Sequence, residues 1–384
     1  MVARRLLLVA GMWTLARKIL MHDRIKFAVA AAGVSMSVLL VLVQVGLYFG
    51  FMKNASNLID HSSADLWVNG EGNENFDFAG PIDERTYYKI AGTPGVARAE
   101  RLVFSFGQFK LPSGGNQGVQ VVGVERNARL LRPWNVVRGD ARRVADVDGI
   151  VLDRTEFAKL QVSEVGDRRE ISGVRSRVVA LTSGIRSFTT SPVIFTNLDT
   201  ARAYTRYAPD ALTYVLVEVA PGADARAVKA RLNAIPNVDA YTTRELSART
   251  RSFWSERTGV GTGFFMTALM GVLVGLVVVG QILYNGTLEH IREYGTLKAM
   301  GAENGAIVRV ILFQALLSAL VGFVVGGGLS FAARAGLKYA NLTVALSPGL
   351  MAATALLTAV MCTAAAMLSI LKVLRLDPAT VFKG

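Results

Sequence analysis

Four stretches of this chain contain no Asp, Glu, Lys or Arg: Phe27–Met52, Thr258–Leu288, Val310–Ala333 and Tyr339–Leu371. Each exceeds the roughly 20 residues that a helix needs to cross about 30 Å of hydrocarbon. Lipid offers a backbone no hydrogen bonds, so runs of this kind are confined to helices. Between Asn54 and Glu256 the charge-free windows are much shorter, Leu111–Val124 being typical of the longest. The pattern predicts an α-helical membrane protein with four transmembrane helices, plus a mixed α/β periplasmic domain inserted between the first and second helices.

The expected order is a cytoplasmic amphipathic helix (1–26), a first span (27–52), the periplasmic domain and a stalk (53–257), and a second span (258–288). A cytoplasmic loop (289–306), a third span (307–333), a short periplasmic loop (334–348), a fourth span (349–371) and a cytoplasmic tail (372–384) follow.

The formal charge of +13 invites a nucleic-acid reading, which its distribution opposes. Residues 53–257 hold 28 of the 42 basic and 24 of the 29 acidic side chains, so the inserted domain is nearly balanced. The other basic residues crowd short membrane flanks, which is the signature of cytoplasmic loops. Arg4, Arg5, Arg17, Lys18, Arg24 and Lys26 precede the first span, and Arg292, Lys298 and Arg309 separate the second from the third. Lys372, Arg375 and Lys383 follow the fourth, whereas only Arg334 and Lys338 lie between the third and fourth. Both termini and the 289–309 loop are therefore expected in the cytoplasm, and the large insertion outside. The single cysteine, Cys362, falls in the fourth span, so an exported domain here must be held by its own core. That favours the inner membrane of a bacterium. No cleaved signal peptide is expected, because Leu6–Ala10 is too short an apolar centre.

Residues 12–26 place Trp13, Ala16, Ile19 and Leu20 at helical spacing, with Arg17, Lys18 and Arg24 elsewhere on the turn. They read as a helix on anionic membrane lipid or as an unstructured basic leader. Gln44 in the first span is expected to hydrogen-bond a neighbouring helix. In the insertion, strands are predicted at 65–69, 102–109, 118–124, 149–152, 177–181, 193–196 and 212–219, and helices at 83–91, 154–160 and 223–234. Two segments, 89–100 and 232–242, each run from a helix end through Pro and Gly95 or Asn237 to a valine that opens a strand. The echo suggests two small lobes. Thr243–Ser255 reads either as an outward continuation of the second span, a rigid stalk, or as an amphipathic linker. Gly271/Gly275 and Gly322/Gly326 are small residues four apart, a spacing that lets membrane helices pack closely.

Chemistry-bearing motifs are missing. No GxxxxGK phosphate loop occurs, so the chain is not expected to hydrolyse ATP by that route, and His22, His61 and His290 form no metal cluster. There is no HExxH, GxSxG or CxxC. The spans hold no ionisable group of the kind that ion-coupled carriers need, nor an intramembrane protease dyad. No catalytic residue, cofactor or metal is expected. What is left is a membrane device that takes its energy from a partner.

The natural grip for such a partner is Glu289–Ala302, EHIREYGTLKAMGA. Leu288, Ile291 and Tyr294 fall on one helical face, with Glu289, Arg292 and Glu293 on others. Gly295 and Gly301 are potential helix breaks, and Asn304 a potential cap for the next helix. The segment reads as a short crosswise helix that docks in a cleft of another protein, or as a solvated hairpin between spans.

REYGTLKAMGA (292–302) is similar to a signature of MacB/FtsX/LolC-type ABC transporter permeases. That signature runs Arg-Glu, an aliphatic residue, Gly, any residue, Leu or Met, a base, Ala, an aliphatic residue and Gly-Ala. Arg292, Glu293, Gly295, Lys298, Ala299, Gly301 and Ala302 match, while Tyr294 replaces the aliphatic residue. Leu376, Pro378 and Phe382 resemble the family's closing segment, and the order of one span, a large periplasmic domain and three spans is the same. SSADLWV (62–68) and the small inner face resemble the DevC-like branch.

The resemblance implies a homodimer bound to two copies of a cytoplasmic ATPase subunit, working by mechanotransmission. Glu289, Arg292, Glu293, Tyr294, Gly295, Lys298 and Gly301 would then couple to the ATPase, with Asp377 and Pro378 nearby. A periplasmic adaptor and an outer-membrane channel would complete efflux of a lipid-like or amphipathic substrate. FtsX-like control of a cell-wall hydrolase and LolC/E-like lipoprotein extraction are the alternatives.

Overall fold

The computed structural model describes residues 24–189, 191–299, 303–339 and 342–375. Most of the expected N-terminal helix, Met300–Ala302 with Gly301, and the tail with Asp377, Pro378 and Phe382 lie outside the described residues. The chain forms two compact units, one of residues 51–260 and one holding the spans.

The spans are helices Arg24–Ala55, Val260–Glu289, Asn304–Tyr339 and Pro348–Leu374, each long and apolar enough to cross a membrane. Ser347 caps the fourth by accepting from the Leu350 amide, with Pro348 in the first turn, where its missing N–H costs nothing. Phe265, Val277, Val324 and Leu356 are each more than 60% exposed, an apolar surface that water disfavours.

The glycine pairs grip the first span from two sides. A Cβ on Gly271 or Gly275 would stand 3.0 Å from Leu40 Cβ or 2.0 Å from Ser37 Oγ. One on Gly322 or Gly326 would stand 2.3 Å from Val34 Cγ1 or 2.5 Å from the Ser35 carbonyl oxygen. Ser37 Oγ donates to the Gly271 carbonyl at 2.6 Å, a bond that requires such close approach. At the other end of the first span the Ala345 amide donates to the Gly46 carbonyl at 2.9 Å. Gln44 is half-buried and, contrary to expectation, has no hydrogen-bond partner among the described residues.

The inserted domain has twelve strands: β1 Leu66–Gly70, β2 Ile82–Asp83, β3 Val96–Lys110, β4 Asn116–Val124, β5 Val136–Gly139, β6 Gly149–Asp153, β7 Arg168–Ile171, β8 Val174–Thr182, β9 Val193–Asn197, β10 Ala211–Leu212, β11 Tyr214–Val219 and β12 Val238–Thr242. Ten of them join one mixed sheet in the order β12-β1-β11-β3-β4-β9-β6-β8-β5, with β7 pairing β3 and β8.

Two separate lobes are therefore not what forms. β3 is longer than its sequence pattern predicts, and it is shared: Val96–Leu102 pair with β11 and Leu102–Lys110 with β4. β7 meets the far end of β3 through Phe109 and Ile171, so six strands curl into a ring. Side chains alternate between faces along each strand. Val103, Val121, Ile150, Ile194 and Val215 accordingly enter one core, and Leu102, Val122, Val151, Phe195 and Leu216 the other. The two cores are the two faces of one sheet.

Gly95 and Asn237, which precede the strand-opening valines of the two echoed segments, sit at φ 94° and 62° in the left-handed region, and β3 and β12 begin at the next residue. Helix Leu198–Thr205, unpredicted, packs Leu198, Ala201 and Tyr204 into the first core. The stalk expectation is corrected. Helix Thr243–Ser252 opens with a reciprocal Thr242/Glu245 capping box and passes into a π-helical turn at Phe253–Arg257. It then breaks before Val260, because Gly259 at φ 72° cannot continue a right-handed helix.

The π turn is tied to a buried carboxyl. Trp254 Nε1 donates to Asp77 Oδ2 at 2.9 Å and Gln120 Nε2 to Oδ1 at 3.3 Å. Burial outweighs these bonds and pushes the Asp77 pKa up to about 6 from 3.8. The fold then binds the proton more tightly than the unfolded chain. The stabilising effect is complete below about pH 4 and lost as pH rises through 6, up to about 3 kcal/mol. Asp77→Asn is expected to flatten the pH dependence of the thermal midpoint between pH 4 and 7 and to raise it at neutral pH, where the wild type buries a charge. Tryptophan fluorescence melts of the full chain in detergent measure this, and an unchanged slope would contradict it.

Candidate coupling site

Between the second and third spans the chain turns at His290 and forms helix Ile291–Ala299. Its apolar side is seated on the span bundle. Tyr294 is 2% exposed, joins the core of Val279, Ile311 and Ile370, and hydrogen-bonds Gln314 of the third span. Burial raises its phenol to about 12. Gly295 is buried beside it and does not break the helix. A glycine costs a helix only about 1 kcal/mol, which packing on this scale overrides. Lys298 Nζ donates to the Val373 and Leu374 carbonyls at 2.9 and 3.3 Å, so its charge caps the C-terminal end of the fourth span. Asn304 is the first residue of the next helix and not the cap before it.

The opposite side is exposed among the described residues. Arg292 and Glu293 are exposed, and the Arg292 guanidinium has no partner among the described residues. Glu293 Oε1 lies 3.0 Å from His290 Nδ1, an exposed contact, and Glu289 pairs with Lys26 at the start of the first span. Of the residues expected to meet a partner, Glu289, Arg292 and Glu293 are at the surface, while Tyr294, Gly295 and Lys298 hold the helix in place. Gln314 was missed. Its signal was a lone amide with Ser318 four residues on, inside an otherwise apolar run.

A bundle of four apolar helices interrupted by a mixed α/β domain defines a multi-pass membrane protein with an extracytoplasmic domain. Residues 27–235 match the family model of the MacB-like periplasmic core domain, and residues 265–378 that of the FtsX-like permease C-terminal region. The chain belongs to the ABC transporter permeases of the MacB/FtsX type.

It is similar to an uncharacterized ABC transporter permease of Mycobacterium bovis, 22% identical over 362 residues, covering 94% of this chain and 96% of that one. Another, from Mycobacterium tuberculosis, is 23% identical over 289 residues, covering 75% and 76%. Among solved structures, the periplasmic region of MacB from Actinobacillus actinomycetemcomitans aligns with a TM-score of 0.35 at 10% identity, over 50% of this chain and 94% of that one. The extracellular domain of the noncanonic ABC-type transporter YknZ from Gram-positive bacteria aligns at 0.35 and 8%, over 46% and 98%.

Proposed function

We propose that this chain is the non-enzymatic permease subunit of an ABC exporter and works by mechanotransmission. Two copies associate with two copies of a separate cytoplasmic ATPase, and nucleotide-driven closure at the inner face moves the extracytoplasmic domains. The observation that carries this is the two-sidedness of helix Ile291–Ala299. Tyr294 and Lys298 join it to the third and fourth spans, while Arg292 and Glu293 face away from the bundle. A segment held in this way passes a push to the spans without yielding.

Efflux of a lipid-like or amphipathic molecule through a periplasmic adaptor and an outer-membrane channel, as in the DevC-like branch, is the favoured use. The reading requires both termini and the coupling helix to be cytoplasmic. Cysteine at Ser113, on the exposed β3–β4 hairpin tip, is expected to react with an impermeant maleimide in intact cells, and cysteine at Asn304 only after the inner membrane is opened. The native Cys362 is buried and contributes little background. In liposomes the chain by itself is expected to be inert towards ATP and to stimulate hydrolysis once its ATPase is added. Reversed labelling, or turnover of ATP by the chain alone, would end the proposal.

A further inference from the structure

Away from the coupling helix, the inserted domain contains a cavity of about 950 Å³ between the end of β4, the segment that follows it and the 3-10 turn Ala141–Ala145. This is at the upper end of the range for small-molecule sites. Five arginines line it, Arg98, Arg126, Arg129, Arg132 and Arg142, against one carboxylate, Glu125.

The carboxylates within reach are already engaged. Glu125 Oε1 accepts from Arg101 Nε at 2.7 Å and from the Arg101 amide at 3.0 Å. Glu100 is buried, accepts from the Arg129 and Leu130 amides at 2.8–3.0 Å, and stands 3.7 Å from Arg98. Among the described residues, the side chains of Arg126, Arg129, Arg132 and Arg142 have no hydrogen-bond or ion-pair partner.

The backbone that presents them is firmly held. Glu100 pins it from below, the Ser63 amide donates to the Leu130 carbonyl at 2.7 Å, and Leu130 and Leu131 are buried. Trp134 stacks on His61 at 4.3 Å and 6°, with its edge against Phe195. Uncompensated like charges on a rigid concave wall cost folding free energy through mutual repulsion, and a bound anion relieves that cost. One monovalent anion leaves most of the charge unmatched. A phosphoryl group brings up to two charges and three acceptor oxygens, which guanidinium forks bind in bidentate fashion. A protein partner of ordinary size needs some 800 Å² of complementary surface, and a concave pocket suits a compact ligand better.

We infer that this groove binds a polyvalent phosphate-bearing anion, either the phosphorylated headgroup of a lipid or a soluble phosphate ester of the same chemistry. The site is separate from the coupling helix and does not depend on how an ATPase is engaged.

The test uses the full chain in nanodiscs of zwitterionic phosphatidylcholine, titrated calorimetrically with sodium tripolyphosphate at low and at physiological salt. Saturable binding that weakens with salt is expected. Arg129→Gln with Arg132→Gln should weaken it by roughly tenfold or more, because two charge-assisted contacts are lost. Arg126→Gln with Arg142→Gln should do the same, while Arg138→Gln, an exposed arginine outside the groove, should not. Unchanged thermal midpoints establish that each variant is folded.

Vesicles of phosphatidylcholine with and without phosphatidic acid separate the two sources. Capture by acidic vesicles, competed by tripolyphosphate, supports a lipid headgroup; tripolyphosphate binding without capture supports a soluble ester. No tripolyphosphate binding at low salt, or equal binding by both arginine pairs and the wild type, overturns the assignment. Binding of polyglutamate but not tripolyphosphate overturns it too, in favour of an acidic protein surface.

Discussion

Gly326→Val is expected to destabilise the span bundle by about 3 kcal/mol or more. A Cβ at this position stands 2.5 Å from the Ser35 carbonyl oxygen and 2.8 Å from Val38 Cβ, so backbone as well as side chain must yield. Relief requires the first and third spans to separate, and that abandons the contacts of Gly322 with Val34 as well. Membrane helices associate largely through such packing, without the water-driven hydrophobic gain of soluble cores, so little else compensates. Gly328→Val is the control. Nothing lies within 4 Å of a Cβ there, and a change within about 0.5 kcal/mol is expected. Thermal unfolding in detergent, with the yield of monodisperse protein, measures both. Equal stability of the two variants would show that the first and third spans do not pack in this way.

Glu293→Lys is expected to reduce stimulation of the partner ATPase, and transport with it, by more than tenfold while leaving insertion and folding intact. Folding and docking depend on Glu293 for different physical reasons. Glu293 is 63% exposed and, among the described residues, its one ion-pair partner is His290, and exposed ion pairs contribute about 0–1 kcal/mol. Against a docked partner the same carboxylate loses its water, and breaking a buried charge pair costs about 2–5 kcal/mol. Reversing the charge adds repulsion. Co-reconstitution with the ATPase and measurement of phosphate release decide the matter. Wild-type stimulation in the variant would remove Glu293 from the docking surface, whereas loss of the folded protein itself would assign it a structural role.

The strands show where one-dimensional reading reaches its limit. β6 and β9, and the second halves of β4 and β8, are short apolar, β-branched stretches buried on both faces, which composition alone reveals. The first half of β3 carries Arg98, Glu100 and Arg101, which interrupt the apolar pattern that marks the strand from Leu102 onward. It is strand because β11 pairs with it and because Glu100 is bound by amides about 30 residues away. β5 is exposed throughout and becomes a strand only through β8. Helix Leu198–Thr205 is only eight residues long, too short for its period to stand out, and its Asn197 cap was the one local sign. The stretch between the second and third spans reads in sequence as a short helix or a solvated hairpin, and Ile291–Ala299 is a helix. Which side of it Lys298 serves is decided by the fourth span, whose last carbonyls it meets.

The number of spans, the place of the inserted domain and the family motif at 292–302 were determined by the sequence by itself. Charge-free length sums along the chain and needs no partner to be read. Tertiary structure alone decided that β3 merges two expected lobes, that Gly271, Gly275, Gly322 and Gly326 all close on the first span, and that Arg126–Arg132 and Arg142 converge on one cavity. Each of these rests on contacts between residues distant in sequence. Their free energy appears only when both sides are in place, so neither side carries a mark of it alone.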